Sequence, residues 1–292
     1  YQSGRLMTTG GSNTVIGYQA LAINLTGTYN VVIGKEAMIA ADGAENNNIA
    51  IGAGSMASVN LDTTEKNVAI GRNAGLGGTG ELDQCIAIGH LAMDGTGSIG
   101  GANNIFMGSN AGGGTWVTAV SDGNVGIGAT SMSGALNGAL HNTALGFDTL
   151  KVMTTSNYNV AIGAYSQFRN TTGSANTSLG TTSLYSNEAG QYNTAIGYES
   201  LVGSATGNYS YNVGTGFQSL RSITTGNSNV GVGYKSLYAI TTGANNVVIG
   251  SQAADQITTQ SYNVYVGMNS GRYIDGGGSN VAVGYGTMTS SG

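Results

Sequence analysis

The chain contains no proline, one cysteine, two histidines and only 8% charged residues, and each scarcity removes a class of protein. Without proline, the 51 glycines cannot belong to a collagen triple helix, which needs a strict three-residue glycine period with abundant proline. Disordered glycine-rich chains are charged and poor in apolar residues, whereas 40% of these 292 residues are hydrophobic. A net charge of −5 offers no basic stripe to phosphates, so a nucleic-acid partner is not expected. No apolar run approaches the roughly 20 residues that cross a bilayer, so no membrane insertion is expected within this segment. A single cysteine makes no internal disulfide and says nothing firm about compartment. The first residues, Tyr1-Gln2-Ser3-Gly4-Arg5, carry neither an initiator Met nor the charged and apolar regions of a signal peptide.

What the chain has in abundance is a period. An Asn is followed four residues later by Gly at Asn13, Asn30, Asn48, Asn67, Asn104, Asn124, Asn142, Asn159, Asn176, Asn193, Asn212, Asn229, Asn246, Asn263 and Asn280, and Cys85 fills the same slot once. The repeat glycines, from Gly17 to Gly284, are spaced by 17 to 20 residues. A period of this length marks a solenoid or roll, in which each unit buries its apolar face against its neighbours. Residues 1–292 read as one continuous array, most regular over 142–288 and lengthened over about 43–123, where glycine-rich inserts replace a Thr-Thr-Gly spacer. Tyr1 aligns just after a repeat Gly and the last repeat stops before its next Asn, so the array reads as a window cut from a longer fibre.

Within a repeat, the three residues between Asn and Gly read as a short β-strand. The first is Val, Ile or Thr in every repeat, and the last is Ile, Val, Leu or Met in all but Thr215. Two β-branched or apolar residues spaced by two are the mark of a core-facing strand edge, and identical strands stack in parallel at about 4.8 Å per coil. The Asn side chains then form a hydrogen-bonded ladder along the stack. The Gly ends the strand at a bend that needs positive φ or close backbone approach. Three and four residues later come a small residue and then a larger one, Ala20-Leu21 and Ser236-Leu237 for instance, which predicts a second short strand beside a tight interior. The predicted fold is all-β, a parallel β-roll of about sixteen coils.

The middle strand residue is Ala, Gly or Val in most repeats, with Phe106, Ser178 and Tyr265 completing the set, and it is never charged. If the two flanking residues face the core, the middle one points outward. Its lack of charge then predicts that a further copy of the chain covers it.

Runs such as Asn193-Thr194-Ala195-Ile196-Gly197-Tyr198-Glu199-Ser200-Leu201 and Asn229-Val230-Gly231-Val232-Gly233-Tyr234-Lys235-Ser236-Leu237 resemble the head repeats of YadA-like trimeric autotransporter adhesins and the related repeats of bacteriophage tail fibres. The resemblance spans the chain, although those adhesin heads repeat in fewer residues. It implies left-handed coils, a homotrimer with the strand facing its partners, an extracellular place on a virion tail or bacterial surface, and a host glycan or protein receptor as partner. The function it implies is a non-enzymatic fibre or adhesin. A polysaccharide-cleaving β-helix needs carboxylates or basic residues grouped on adjacent coils, which the sequence does not arrange. An ice-binding solenoid is disfavoured because adjacent Thr residues alternate in direction.

Residues with chemistry are few. Cys85 and His90 share a coil without a third orienting group, and read as a buried thiol and a bystander rather than a nucleophile and base. No metal or cofactor is expected, since His90 and His141 lie coils apart and the Asp-bearing nonapeptide of calcium rolls is missing. Gly233-Tyr234-Lys235-Ser236 is a repeat coincidence and not a phosphate loop. Asn24, Asn170, Asn176 and Asn208 open glycosylation triplets that this composition yields by chance. Trp116, in the longest insert, is the candidate receptor or glycan contact. Tyr29, Tyr158, Tyr192, Tyr211 and Tyr262, each just before a ladder Asn, should align along one edge.

Overall fold

The structure, a computed structural model, describes residues 3–59, 64–78, 80–116, 118–204, 207–274 and 276–289. Tyr1, on which the reading of the first partial repeat rests, lies outside them. The chain forms a parallel β-solenoid without helix among the described residues, divided into two compact units, Tyr1–Thr155 and Ser156–Gly292. In the first unit the strands are β1 (Thr14–Ile16), β2 (Val31–Ile33), β3 (Ile49–Ile51), β4 (Val68–Ile70), β5 (Leu82–Asp83), β6 (Ile86–Ile88), β7 (Gly101–Ala102), β8 (Ile105–Met107), β9 (Val125–Ile127) and β10 (Thr143–Leu145). The second holds β11 (Val160–Ile162), β12 (Thr177–Leu179), β13 (Thr194–Ile196), β14 (Val213–Thr215), β15 (Val230–Val232), β16 (Val247–Ile249), β17 (Val264–Val266) and β18 (Val281–Val283). Neighbouring repeat strands pair in parallel without slippage, for example Val230↔Val247, Gly231↔Val248 and Val232↔Ile249. The short pair β5 and β7 forms a separate ladder beside the lengthened coils.

The strand parity is the reverse of the sequence reading. The middle strand residue is the buried one in every repeat strand from β2 onward, and neither flanking residue is buried in any of them. The middle position is therefore free of charge because it lines this chain's own interior, and its small size reflects how narrow that interior is. Where it becomes large, the coil compensates. Phe106 is wholly buried, and the fourth residue after its Gly is Gly112, where an added Cβ would sit 2.6 Å from the Phe ring. Tyr265 and Gly271 repeat the exchange at 2.6 Å.

The predicted second strand is absent. After the Gly the chain runs through consecutive turns, because the second and fourth residues after Gly have positive φ in all sixteen coils, as at Lys235 (52°) and Leu237 (53°). Left-handed conformations disfavour side chains with a Cβ, and the offset is visible in backbone bonds to both neighbouring coils. Lys235 N donates backward to Phe217 O at 2.9 Å and Leu237 N forward to Ala253 O at 3.1 Å. The small residue between them is buried in all but the last coil, and Ser55, Ser200, Ser219, Ser236 and Ser270 donate from this slot to the middle strand carbonyl of the next coil, Ser219 to Gly231 at 2.9 Å. The larger residue that follows fills the core, in which Leu184, Leu201, Leu220, Leu237, Ile223 and Ile240 pack together.

The repeat Gly meets both conditions at once. Gly233 has φ of 135°, and a Cβ there would lie 2.5 Å from Gly250 O in the next coil.

Candidate functional site

The Asn side chains link coil to coil within each unit. Asn229 shows the pattern in full: its backbone N and Nδ2 donate to Asn212 Oδ1 at 2.9 and 3.1 Å, and Nδ2 also donates to Gly243 O at 2.8 Å. Asn229 Oδ1 in turn accepts from Asn246 N and Nδ2 at 3.1 and 2.9 Å. Equivalent bonds join Asn13, Asn30, Asn48 and Asn67, then Asn104, Asn124 and Asn142. In the second unit they join Asn159, Asn176, Asn193 and Asn212, then Asn246, Asn263 and Asn280. Buried amides satisfied in this way hold the strand ends in register. They leave no chemistry for a substrate.

Cys85 keeps the ladder running. Its N–H donates to Asn67 Oδ1 at 2.9 Å, and its thiol contacts the carbonyls of Gly101 (3.3 Å) and Asp83 (3.4 Å). Desolvation pushes the thiol up to about 11, partly opposed by hydrogen bonds from Asn104. His90, by contrast, is exposed on the far side of the repeat Gly. The two residues do not share a site.

Trp116 is not the surface contact that its place in a long insert suggests. It is fully buried and meets Phe106 edge-on, with ring centroids 6.2 Å apart at 69°. Its insert folds back over the coil and supplies core, so no face of the indole is open to a sugar. Of the four glycosylation triplets, Asn24, Asn170 and Asn176 are buried, and only Asn208 is exposed.

The surface that stands out is the outward strand face. Ile196, Val247, Ile249, Leu179 and Val281 are exposed by 38 to 70%. Half-exposed aromatics border this face on both edges. Just before the ladder Asn, Tyr192 and Tyr211 stack with centroids 5.2 Å apart, and Tyr29, Tyr158 and Tyr262 occupy the same slot, each more than 60% exposed. Just after the Gly, Tyr198, Phe217 and Tyr234 stack in a row at 5.6 and 5.4 Å. In the second unit none of these four columns carries Lys, Arg, Asp or Glu at any coil. Contiguous apolar surface of this extent is uncommon on monomeric proteins.

Two depressions lie elsewhere. One, of about 190 Å³ beside β5 and β7, is lined by Glu81, Asp83 and Asp122 with Ile99 and Val120. The other, of about 200 Å³ in the second unit, is lined by Thr182, Tyr185, Glu199, Val202 and Arg221. There Arg221 Nε donates to Glu199 Oε2 at 2.7 Å and Gln218 Nε2 donates to the same oxygen at 2.8 Å. Burial works against the Glu199 carboxylate, but the bonds from Arg221 and Gln218 outweigh it and hold the acid below its ordinary range.

Comparison with known proteins adds no relative: no family model matches the chain, and no curated protein sequence matches it.

Proposed function

We propose that this chain is a non-enzymatic structural segment of an extracellular fibre or adhesin, with left-handed coils that associate with copies of themselves as a homotrimer. In this reading it stands on a virion tail or a bacterial surface and carries a binding surface toward a host glycan or protein receptor. The observation that supports it is the uncharged outward face of the strands. An antiparallel or edge-exposed sheet facing water alternates apolar with polar residues, whereas here the outward positions repeat Val, Ile and Thr coil after coil. For the second unit alone, eight strands about 4.8 Å apart and seven residues deep at about 3.3 Å each present on the order of 800 Å². That matches the roughly 800 Å² each partner contributes to a stable interface. The resemblance of the repeats to trimeric adhesin heads and tail-fibre repeats supplies the number three and the extracellular setting.

Light scattering or sedimentation equilibrium tests the reading directly. The expected mass is roughly three times the 29.3 kDa of one chain, and Val232→Lys with Ile249→Lys should give folded monomers, since both side chains point away from the core. A wild-type chain that stays monomeric sinks the proposal. Steady release of reducing ends from host-surface polysaccharide would instead favour the cleaving enzyme.

A further inference from the structure

In the second unit, the fifth residue after Gly163, Gly180, Gly197, Gly216 and Gly233 forms a column on the turn side of the roll: Phe168, Tyr185, Val202, Arg221 and Tyr238 from consecutive coils. Phe168 and Tyr185 stack almost flat, with centroids 5.1 Å apart and planes 3° from parallel. At the other end, the Arg221 guanidinium lies 5.9 Å from the centroid of Tyr238. Between them Val202 is too short to continue the stack. The result is the groove of about 200 Å³ lined by Thr182, Tyr185, Glu199, Val202 and Arg221.

Two coil spacings separate Tyr185 from Arg221, roughly 9.6 Å at about 4.8 Å per coil. Arg221 leans into that space to reach Glu199 in the intervening coil, and the opening that remains, about 200 Å³, is on the scale of a single sugar ring. We infer that this groove is a saccharide subsite, in which a neutral hexopyranose rests its C–H face on the free side of Tyr185 and its hydroxyls reach Glu199, Arg221 and Thr182. The polar lining suits hydroxyls in particular. A carboxylate accepts and a guanidinium donates, and vicinal hydroxyls do both. The ion pair is internally neutral, so it presents no net charge that would favour a phosphate or a uronic acid over a neutral sugar. By contrast, Phe217 is stacked on both faces by Tyr198 and Tyr234, and no acid–base pair lines an opening beside that row as Glu199 and Arg221 line the groove.

This site rests on the attachment function proposed above and assigns it a ligand class. The test is saturation-transfer NMR of the assembled wild-type protein with methyl glucosides, galactosides and mannosides, and with adenosine as a flat-ring contrast. At least one hexoside should receive saturation. Val202→Phe should reduce its affinity at least tenfold while the thermal midpoint holds, because Phe and Tyr already occupy the same slot in neighbouring coils. Glu199→Gln provides a second variant that leaves the groove's shape in place, with a several-fold loss expected. Unchanged binding in both variants, binding of adenosine alone, or no hexoside binding overturns the subsite. Assembly mass measured on the same samples separates the two readings, since a missing sugar signal from an intact trimer removes the subsite and not the fibre.

Discussion

At the residue scale, the repeat Gly is fixed by backbone conformation and by contact together, and no side chain satisfies both. Gly233→Ala places a Cβ 2.5 Å from Gly250 O at a φ of 135°, a region that is essentially reserved for glycine. The expected loss is about 3 kcal/mol or more in denaturant unfolding, well above the ±0.5 kcal/mol of an ordinary surface change. Cys85 makes a different prediction, in pH. Its thiol is raised from 9.0 to about 11 by burial, so the folded chain holds the proton more tightly than the unfolded one. Its contribution is complete below pH 9 and falls away as the pH rises toward 11, by about 2–3 kcal/mol at 1.36 kcal/mol per unit. Urea titrations across that range on wild type and Cys85→Ala should show the gap between them closing as the pH rises. A constant gap refutes the coupling.

At the scale of the element, one coil conserves its interior volume by exchange between two positions. Phe106→Ala alone opens a cavity and should cost about 3–5 kcal/mol. Adding Gly112→Leu should recover much of that, because the fourth residue after Gly is Leu in other coils at the same positive φ, such as Leu150 and Leu220 at 50°. A double variant no more stable than the single one would show that the two sites do not share volume. The coil also explains what the sequence did and did not make legible. Period, parallel pairing and the ladder follow from Asn and Gly recurring together, since few other architectures need both. Strand parity was misjudged because all three strand residues are apolar or small, so hydropathy alone does not separate inside from outside. Size does: the middle residue is small, and it shares the parity of the buried Asn two positions earlier. The second strand failed on backbone angles, which Leu and Lys in left-handed conformations do not advertise. The Thr-Thr-Gly spacer also links coils, its first hydroxyl bonding the next one, as Thr241 Oγ1 does to Thr258 O at 3.1 Å. The core also holds a polar residue that the repeat pattern does not single out. Gln167 is buried there, its Nε2 donating to Ser178 Oγ at 3.0 Å and Val160 O at 3.1 Å, a cluster visible in sequence as Gln and Ser replacing Leu and Ala in adjacent coils.

At the scale of the whole molecule, the apolar columns make self-association the expected behaviour, and their lack of charge fixes its character. Attraction between exposed charges is screened within about 10 Å at 0.1 M salt. An interface that excludes them should not weaken with salt, and excluded salts such as sulfate should strengthen it. The assembly mass of the second unit's face should therefore hold from dilute buffer to 0.5 M sodium chloride, about fivefold above the 0.1 M reference. Dissociation on adding salt would point to the outlying Lys35, Lys66 and Arg72 of the first unit instead. Trp116 and the saccharide groove illustrate the same division of labour. The insert that looked like a binding loop is spent on core, whereas a single short residue, Val202, between Tyr185 and Arg221 leaves the opening.

The Asn ladder has a direction. Along each unit the acceptor oxygen belongs to the earlier coil and the donors to the later one, from Asn13 to Asn30 and from Asn263 to Asn280. A chain made from its N-terminus therefore offers each new turn an acceptor that is already fixed in place. The array can be built like a zipper that closes at the pace of synthesis. An interruption midway would leave a finished stem whose last Asn still awaits its donor.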